Sequence, residues 1–239
     1  MKSKIITKSK YCLIFMVLIN TYVLKAQNSF EGKLVYSIDY KYLNKELDEI
    51  NKEQGKNSLT TDTISYYYSP NGDYASIVKK SDTIYTIYKA KDLTLYGLTT
   101  GVEYVSGLDV RIDLEEKLGN KPQVDLLKDT VKIGDIECQV VRVKWKTGEY
   151  KYYFNKNLLK INPSLYKGYE YDQWYNFLLI SGALPVKIEK TTYGIITVTF
   201  NLEYYENYKV DKGVFKLPKL EEDPTMSQLY LNKKIYFIK

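Results

Sequence analysis

The sequence predicts a mainly β fold, built as an antiparallel meander with one to three short helices. Three observations carry that expectation. Apolar and polar residues alternate with period two over long stretches, turn-forming residues separate those stretches at short intervals, and helical periodicity is confined to a few brief segments.

The first alternating run places Leu34, Tyr36, Ile38, Tyr40 and Tyr42 on one face, with Lys33, Ser37, Asp39 and Lys41 on the other. Late in the chain Ile196, Val198, Phe200, Leu202 and Tyr204 share a face opposite Thr197, Thr199, Asn201 and Glu203. Between them Leu184, Val186 and Ile188 alternate with Lys187 and Glu189. Ser69-Pro70-Asn71-Gly72 is a turn sequence between strands at 63–68 and 74–79. Ser81-Asp82 and Lys91-Asp92 set off strands at 84–88 and 93–98. Gly134-Asp135, Lys146-Thr147-Gly148 and Tyr193-Gly194 introduce strands at 136–145, 149–155 and 195–208.

Helical signals are few. Leu43, Leu47 and Ile50 recur at i, i+4, i+7 in a charged stretch that ends near Gly55, which predicts a short amphipathic helix. Residues 112–118 predict one or two turns. Residues 171–180 read either way, because Trp174, Phe177 and Leu178 would share a helical face. The tail from about Lys219 is a C-terminal extension in which 229–238 offers an edge strand.

The first 26 residues are a different kind of segment. Lys2, Lys4, Lys8 and Lys10 precede an apolar run at 11–24, followed by Leu24-Lys25-Ala26 before Gln27. A basic start, a short apolar stretch and a small residue at the break are the parts of a secretory signal peptide. The run is shorter than the roughly 20 residues that span a bilayer. Cleavage after Ala26 is therefore expected, with 27–239 exported as a single β-rich domain to the periplasm, the outer-membrane face or the medium.

Composition narrows the chemistry. Removing the five leader lysines brings the formal charge from +6 to +1, and only Arg111 and Arg142 provide guanidinium groups, so no nucleic-acid partner is expected. The chain has no histidine. That removes Ser-His-Asp triads, Cys-His pairs and His-ligated zinc or copper. Cys138 is the sole cysteine after the leader, so no intramolecular disulfide forms, and its neighbours Ile136, Val140 and Val141 predict a buried thiol. Neither a metal site nor a cofactor is expected. Asp48, Glu49, Glu53, Glu115, Glu116 and Asp172 are the carboxylates open to acid–base work, but no motif joins them, and no catalytic residues are assigned. Of the 26 tyrosines, 24 follow the leader. Tyrosine suits half-buried strands; it also builds stacking surfaces for sugars or lipids.

Several short motifs then form an ordered set. Phe30-Glu31-Gly32-Lys33-Leu34-Val35-Tyr36 follows the leader, and Lys132-Ile133-Gly134-Asp135-Ile136-Glu137-Cys138 comes midway. Next is Ser181-Gly182-Ala183-Leu184-Pro185-Val186-Lys187-Ile188, and Val210-Asp211-Lys212-Gly213-Val214-Phe215-Lys216-Leu217-Pro218 closes the run. Over roughly 30–218 this resembles the GLPGLI family of exported bacterial proteins and neighbouring uncharacterised families with LolA/LolB-like folds. Where the family's name motif has glycine after the proline, this chain has Val186.

The resemblance implies a curved antiparallel sheet, a half-barrel whose concave face is covered by short helices or loops. In LolA-like proteins that hollow holds acyl chains. The resulting expectation is a non-enzymatic, monomeric binding protein with an apolar or lipid-like ligand in the hollow. Trp174, Tyr175, Phe177, Leu178 and Leu179 are the candidate rim. The alternative is a structural or interaction module whose partner is a protein of the cell envelope.

Overall fold

A computed structural model of the chain describes residues 29–53 and 63–239. The leader and the end of the first helix near Gly55 lie outside those residues. Strand β1 (Gly32–Tyr42) is followed by helix α1 (Lys45–Glu53). Strands β2 (Thr63–Tyr68), β3 (Tyr74–Lys79), β4 (Thr83–Lys89), β5 (Thr94–Thr99) and β6 (Tyr104–Asp109) then run as a meander. After α2 (Leu114–Lys117) come β7 (Gln123–Leu126), β8 (Val131–Ile133), β9 (Ile136–Lys144) and β10 (Gly148–Phe154). The rest is α3 (Trp174–Ser181), β11 (Lys187–Thr192), β12 (Ile196–Asn207), β13 (Leu220–Asp223), α4 (Pro224–Ser227) and β14 (Lys233–Ile238).

Among the described residues these 14 strands form one open sheet in the order β13-β14-β6-β5-β4-β3-β2-β1-β12-β11-β10-β9-β7, with β8 pairing the other end of β9. Every pairing is antiparallel, as the alternation and tight turns require. The mainly β expectation holds. Among the described residues four short α-helices stand where one to three were expected; the extra one, α4, starts at Pro224 and is capped by Asp223, whose carboxylate accepts from the Thr225 and Met226 amides.

Segment 155–186, between β10 and β11, occupies the concave face. Its Ile161, Tyr166, Phe177, Leu178 and Leu184 are fully buried. Rings from both halves of the sheet close on it. Tyr88 of β4 stacks on Tyr166 at 6.0 Å, and Tyr152 of β10 stacks on Phe177 at 4.5 Å. Each such large side chain contributes roughly 1.5–3 kcal/mol by leaving water. Pro185 and Val186 lie ahead of β11 rather than inside it, and Val186 is buried.

The predicted faces hold along most of β1 and β12. They change at a bulge between Val35 and Tyr36, where Val35 pairs with Tyr204 but Tyr36 pairs with Leu202. Glu203 is the extra residue, so the alternation inverts beyond it. Tyr205 now takes the side of the Phe30 ring, 6.4 Å away, and Tyr204 the opposite side beside Lys33, while both stay exposed. On the convex side Val210 and Phe215 of the closing motif pack on Ala75 of β3 and Ile87 of β4, a second small core. Strand β14 is not the edge; β13 pairs outside it. No helix among the described residues is long and apolar enough to cross a membrane.

Candidate functional site

The five rim candidates separate in the structure. Phe177 and Leu178 are fully buried and belong to the filling of the hollow, whereas Leu179 faces solvent on the far side of α3. Tyr175 is half-buried. Trp174 alone of the five lines the space left inside the hollow, a cavity of about 100 Å³ shared with Tyr66, Tyr74, Tyr152, Tyr169 and Lys190. That volume is far below the ~300–1,000 Å³ of ordinary small-molecule sites.

The segment entering α3 is strained. Asp172 (φ 57°) and Gln173 (φ 55°) are consecutive non-glycine residues in the left-handed region, a conformation that disfavours each by about 1–2 kcal/mol. Several bonds hold them there. The Tyr152 hydroxyl donates to the Asp172 carbonyl at 2.9 Å. The Gln173 amide donates to the Glu170 carbonyl at 2.8 Å, and its side chain donates to Asp113 at 3.3 Å and accepts from Asn176 at 2.7 Å. Backbone strain fixed this firmly recurs at ligand clamps and active sites.

The turn delivers the Asp172 carboxylate to Lys190 of β11, at 2.6 Å. Lys190 also lies over the Tyr150 ring, 4.8 Å from its centroid. Burial pulls the Lys190 ammonium towards neutrality, but the Asp172 charge, with Tyr152 and Tyr150, outweighs it and holds the group well above the usual lysine value. Lys190 is therefore a fixed cation, unsuited to nucleophilic work.

Asp172 and Tyr171 are shared between the hollow and a second, more open space of about 260 Å³ at the turn ends of the β9–β10 and β11–β12 hairpins. Trp145, Tyr150 and Tyr171 give this cleft aromatic walls, and Asp113, Glu115 and Asp172 give it carboxylates. Trp145 and Tyr150 meet edge to face at 4.8 Å. The Trp145 indole N–H is buried without an acceptor. Thr147 donates to Glu115 at 2.6 Å, pinning α2 to the β9–β10 turn. Gly148 makes the close hairpin approach possible, because a Cβ there would sit 2.2 Å from the Thr191 carbonyl oxygen.

The field in the cleft is negative. The Asp172 charge, then burial, pushes the Tyr171 hydroxyl up to about 12. Burial, then Asp172, Asp113 and Glu115, raises Tyr150 against the opposing charge of Lys190.

Of the carboxylates singled out from sequence, Glu115 and Asp172 meet in this cleft, Glu116 lies on a neighbouring groove with Glu170, and Asp48, Glu49 and Glu53 are on α1. Trp145, Tyr150 and Lys190 were missed as site residues. For Lys190 a signal existed: extending the alternation of Val186 and Ile188 places a lysine on the apolar face. Among the described residues no cluster of three or more Cys, Asp or Glu side chains is arranged to hold a metal ion.

No protein-family model matches the chain, and no curated protein matches it. Among solved structures the chain is similar to one titled "Structure of PNGF-II in C2 space group", at TM-score 0.30 and 11% identity. That likeness covers 77% of this chain and 30% of the other, so this chain spans less than a third of its length. At this TM-score it carries no argument about fold or function.

Proposed function

We propose that the mature chain is an exported, non-enzymatic binding protein whose ligand sits in the cleft between Trp145, Tyr150 and Tyr171. The basic and apolar leader, with its small residue at position 26, supports export. The observation that carries the site is the strained, heavily bonded turn at Asp172–Gln173, which places one carboxylate at the junction of an aromatic cleft and its counter-ion. The filled concave face argues for the cleft over an acyl chain in the hollow.

Native mass spectrometry of residues 27–239, purified from its own cell envelope without detergent, tests this reading. A discrete small adduct that is lost from a Tyr150→Ala variant supports it. A lipid-sized adduct that persists in that variant returns the ligand to the hollow.

A second reading keeps the chain as an interaction module of the envelope. It rests on the open edge at β13 and on Leu229, Leu231 and Phe237 beside it, whose side chains face solvent. Cross-linking in intact cells that captures one discrete partner through this edge favours it.

A further inference from the structure

The charge balance of the cleft points to the class of ligand, and the inference rests on the cleft being the binding site. Its lining contains three carboxylates and no lysine or arginine, and the neighbouring Lys190 is paired with Asp172. A phosphate or carboxylate ligand would meet these charges with no lysine or arginine in the lining to offset them.

The carboxylates already accept hydrogen bonds within the protein. Glu115 accepts from Thr147 through one oxygen and from Asn120 through the other, at 2.6 and 2.9 Å. Asp113 accepts from the Glu116 amide through one oxygen and from Gln173 through the other, at 3.1 and 3.3 Å. Asp172 holds Lys190 through one oxygen. These groups supply negative potential in a half-buried space more readily than they supply free hydrogen-bond acceptors. A sugar or a primary amine needs such acceptors. A quaternary ammonium does not, since it has no N–H to satisfy, sheds its water readily and is attracted by aromatic faces. The Tyr150 ring already receives one cation in this way, the Lys190 ammonium.

We propose that the cleft bounded by Trp145, Tyr150, Tyr171, Glu115 and Asp172 binds a quaternary ammonium group of the choline type. The rings supply its contact surface and the carboxylates its charge.

The test uses the mature chain carrying Trp174→Phe, so that Trp145 is the sole indole, titrated with choline chloride and with its uncharged isostere 3,3-dimethyl-1-butanol. Saturable change in Trp145 emission with choline is expected, about tenfold tighter than with the isostere. It should weaken as NaCl rises from roughly 50 to 500 mM, and Glu115→Gln should weaken it several-fold while the far-ultraviolet spectrum stays unchanged. Equal affinity for the isostere overturns the proposal, as does no response to choline. If choline fails while the native mass spectrum still carries a cleft-dependent adduct, the ligand class is wrong and the binding site stands; if both fail, both fall. Vesicles of phosphatidylcholine present the same head group. Co-sedimentation assigns the site to a membrane surface, and binding of free choline alone assigns it to a small solute.

Discussion

The Tyr36 hydroxyl donates a 2.6 Å hydrogen bond to the Pro185 carbonyl, joining β1 to the segment that leaves the hollow. Both groups are buried, so the bond fastens the filling of the concave face to the centre of the sheet. Tyr36→Phe keeps the ring and strands the carbonyl. We expect a loss of roughly 1–3 kcal/mol in urea unfolding, with the slope of the transition unchanged. A loss near zero would mean that the segment is held by its apolar contacts alone.

Lys190 and Asp172 should behave as one unit. Their side chains retain 31% and 19% exposure, so the pair lies between a surface and a buried ion pair. Asp172→Asn keeps a residue that tolerates the left-handed backbone, and Lys190→Met keeps the length of the stem. Each alone should reduce stability by roughly 1–3 kcal/mol, and the double variant by clearly less than the sum. Additive losses would show that the two charges do not sense each other.

Alkali should unfold this protein steeply. Burial raises the hydroxyls of Tyr36, Tyr68, Tyr74, Tyr152 and Tyr169 well above 10.0, and the Asp172 charge, with burial, raises Tyr171 to about 12. An acid whose folded pKa is raised stays protonated in the native state while the unfolded chain ionises. The stability it contributes is complete below pH 10 and is lost as pH rises through the folded values. Unfolding free energy should therefore decline above about pH 10, by about 1.4 kcal/mol per pH unit for each linked tyrosine. A second rise in phenolate absorbance, beyond that of the solvent-exposed rings, should appear together with loss of the far-ultraviolet signal. Ionisation of every tyrosine before unfolding would contradict the burial.

Gly148→Ala places a methyl group against the Thr191 backbone, where no side chain can move aside. A loss of roughly 1–3 kcal/mol is expected, with broadened amide signals at the β9–β10 and β11–β12 turns. Gly134→Ala is the contrast, because a Cβ there meets nothing within 4 Å, although its φ of 56° carries the ordinary left-handed penalty. A smaller loss at Gly148 than at Gly134 would refute the close approach.

The strands were legible because period-two alternation is a local property, and β1 and β12 as far as Leu202 follow it residue by residue. Tyr204 departs from it because one extra residue, Glu203, inverts the face, and nothing in the alternation marks a bulge. Residues 171–180 were ambiguous for a related reason. An apolar patch at Trp174, Phe177 and Leu178 reads the same whether it covers a hollow or fills it, and contacts with Tyr152 and Phe154 across the fold decide that it fills. The cleft was still less visible. Trp145, Tyr150, Asp172 and Lys190 come from four separate elements and meet only through sheet order. The charge at Lys190, out of step with its strand, was the one local sign of them.

The two tryptophans allow the central claim to be tested directly, since Trp145 walls the cleft and Trp174 lines the hollow. Trp174→Phe and Trp145→Phe variants of the mature chain would each be titrated with aqueous and with organic extracts of the producing cells' envelope, reading indole emission. A saturable change at Trp145 with the aqueous extract, and none at Trp174, is the result expected of a cleft-binding protein. A change confined to Trp174, brought about by the organic extract, would place a lipid in the hollow and contradict it.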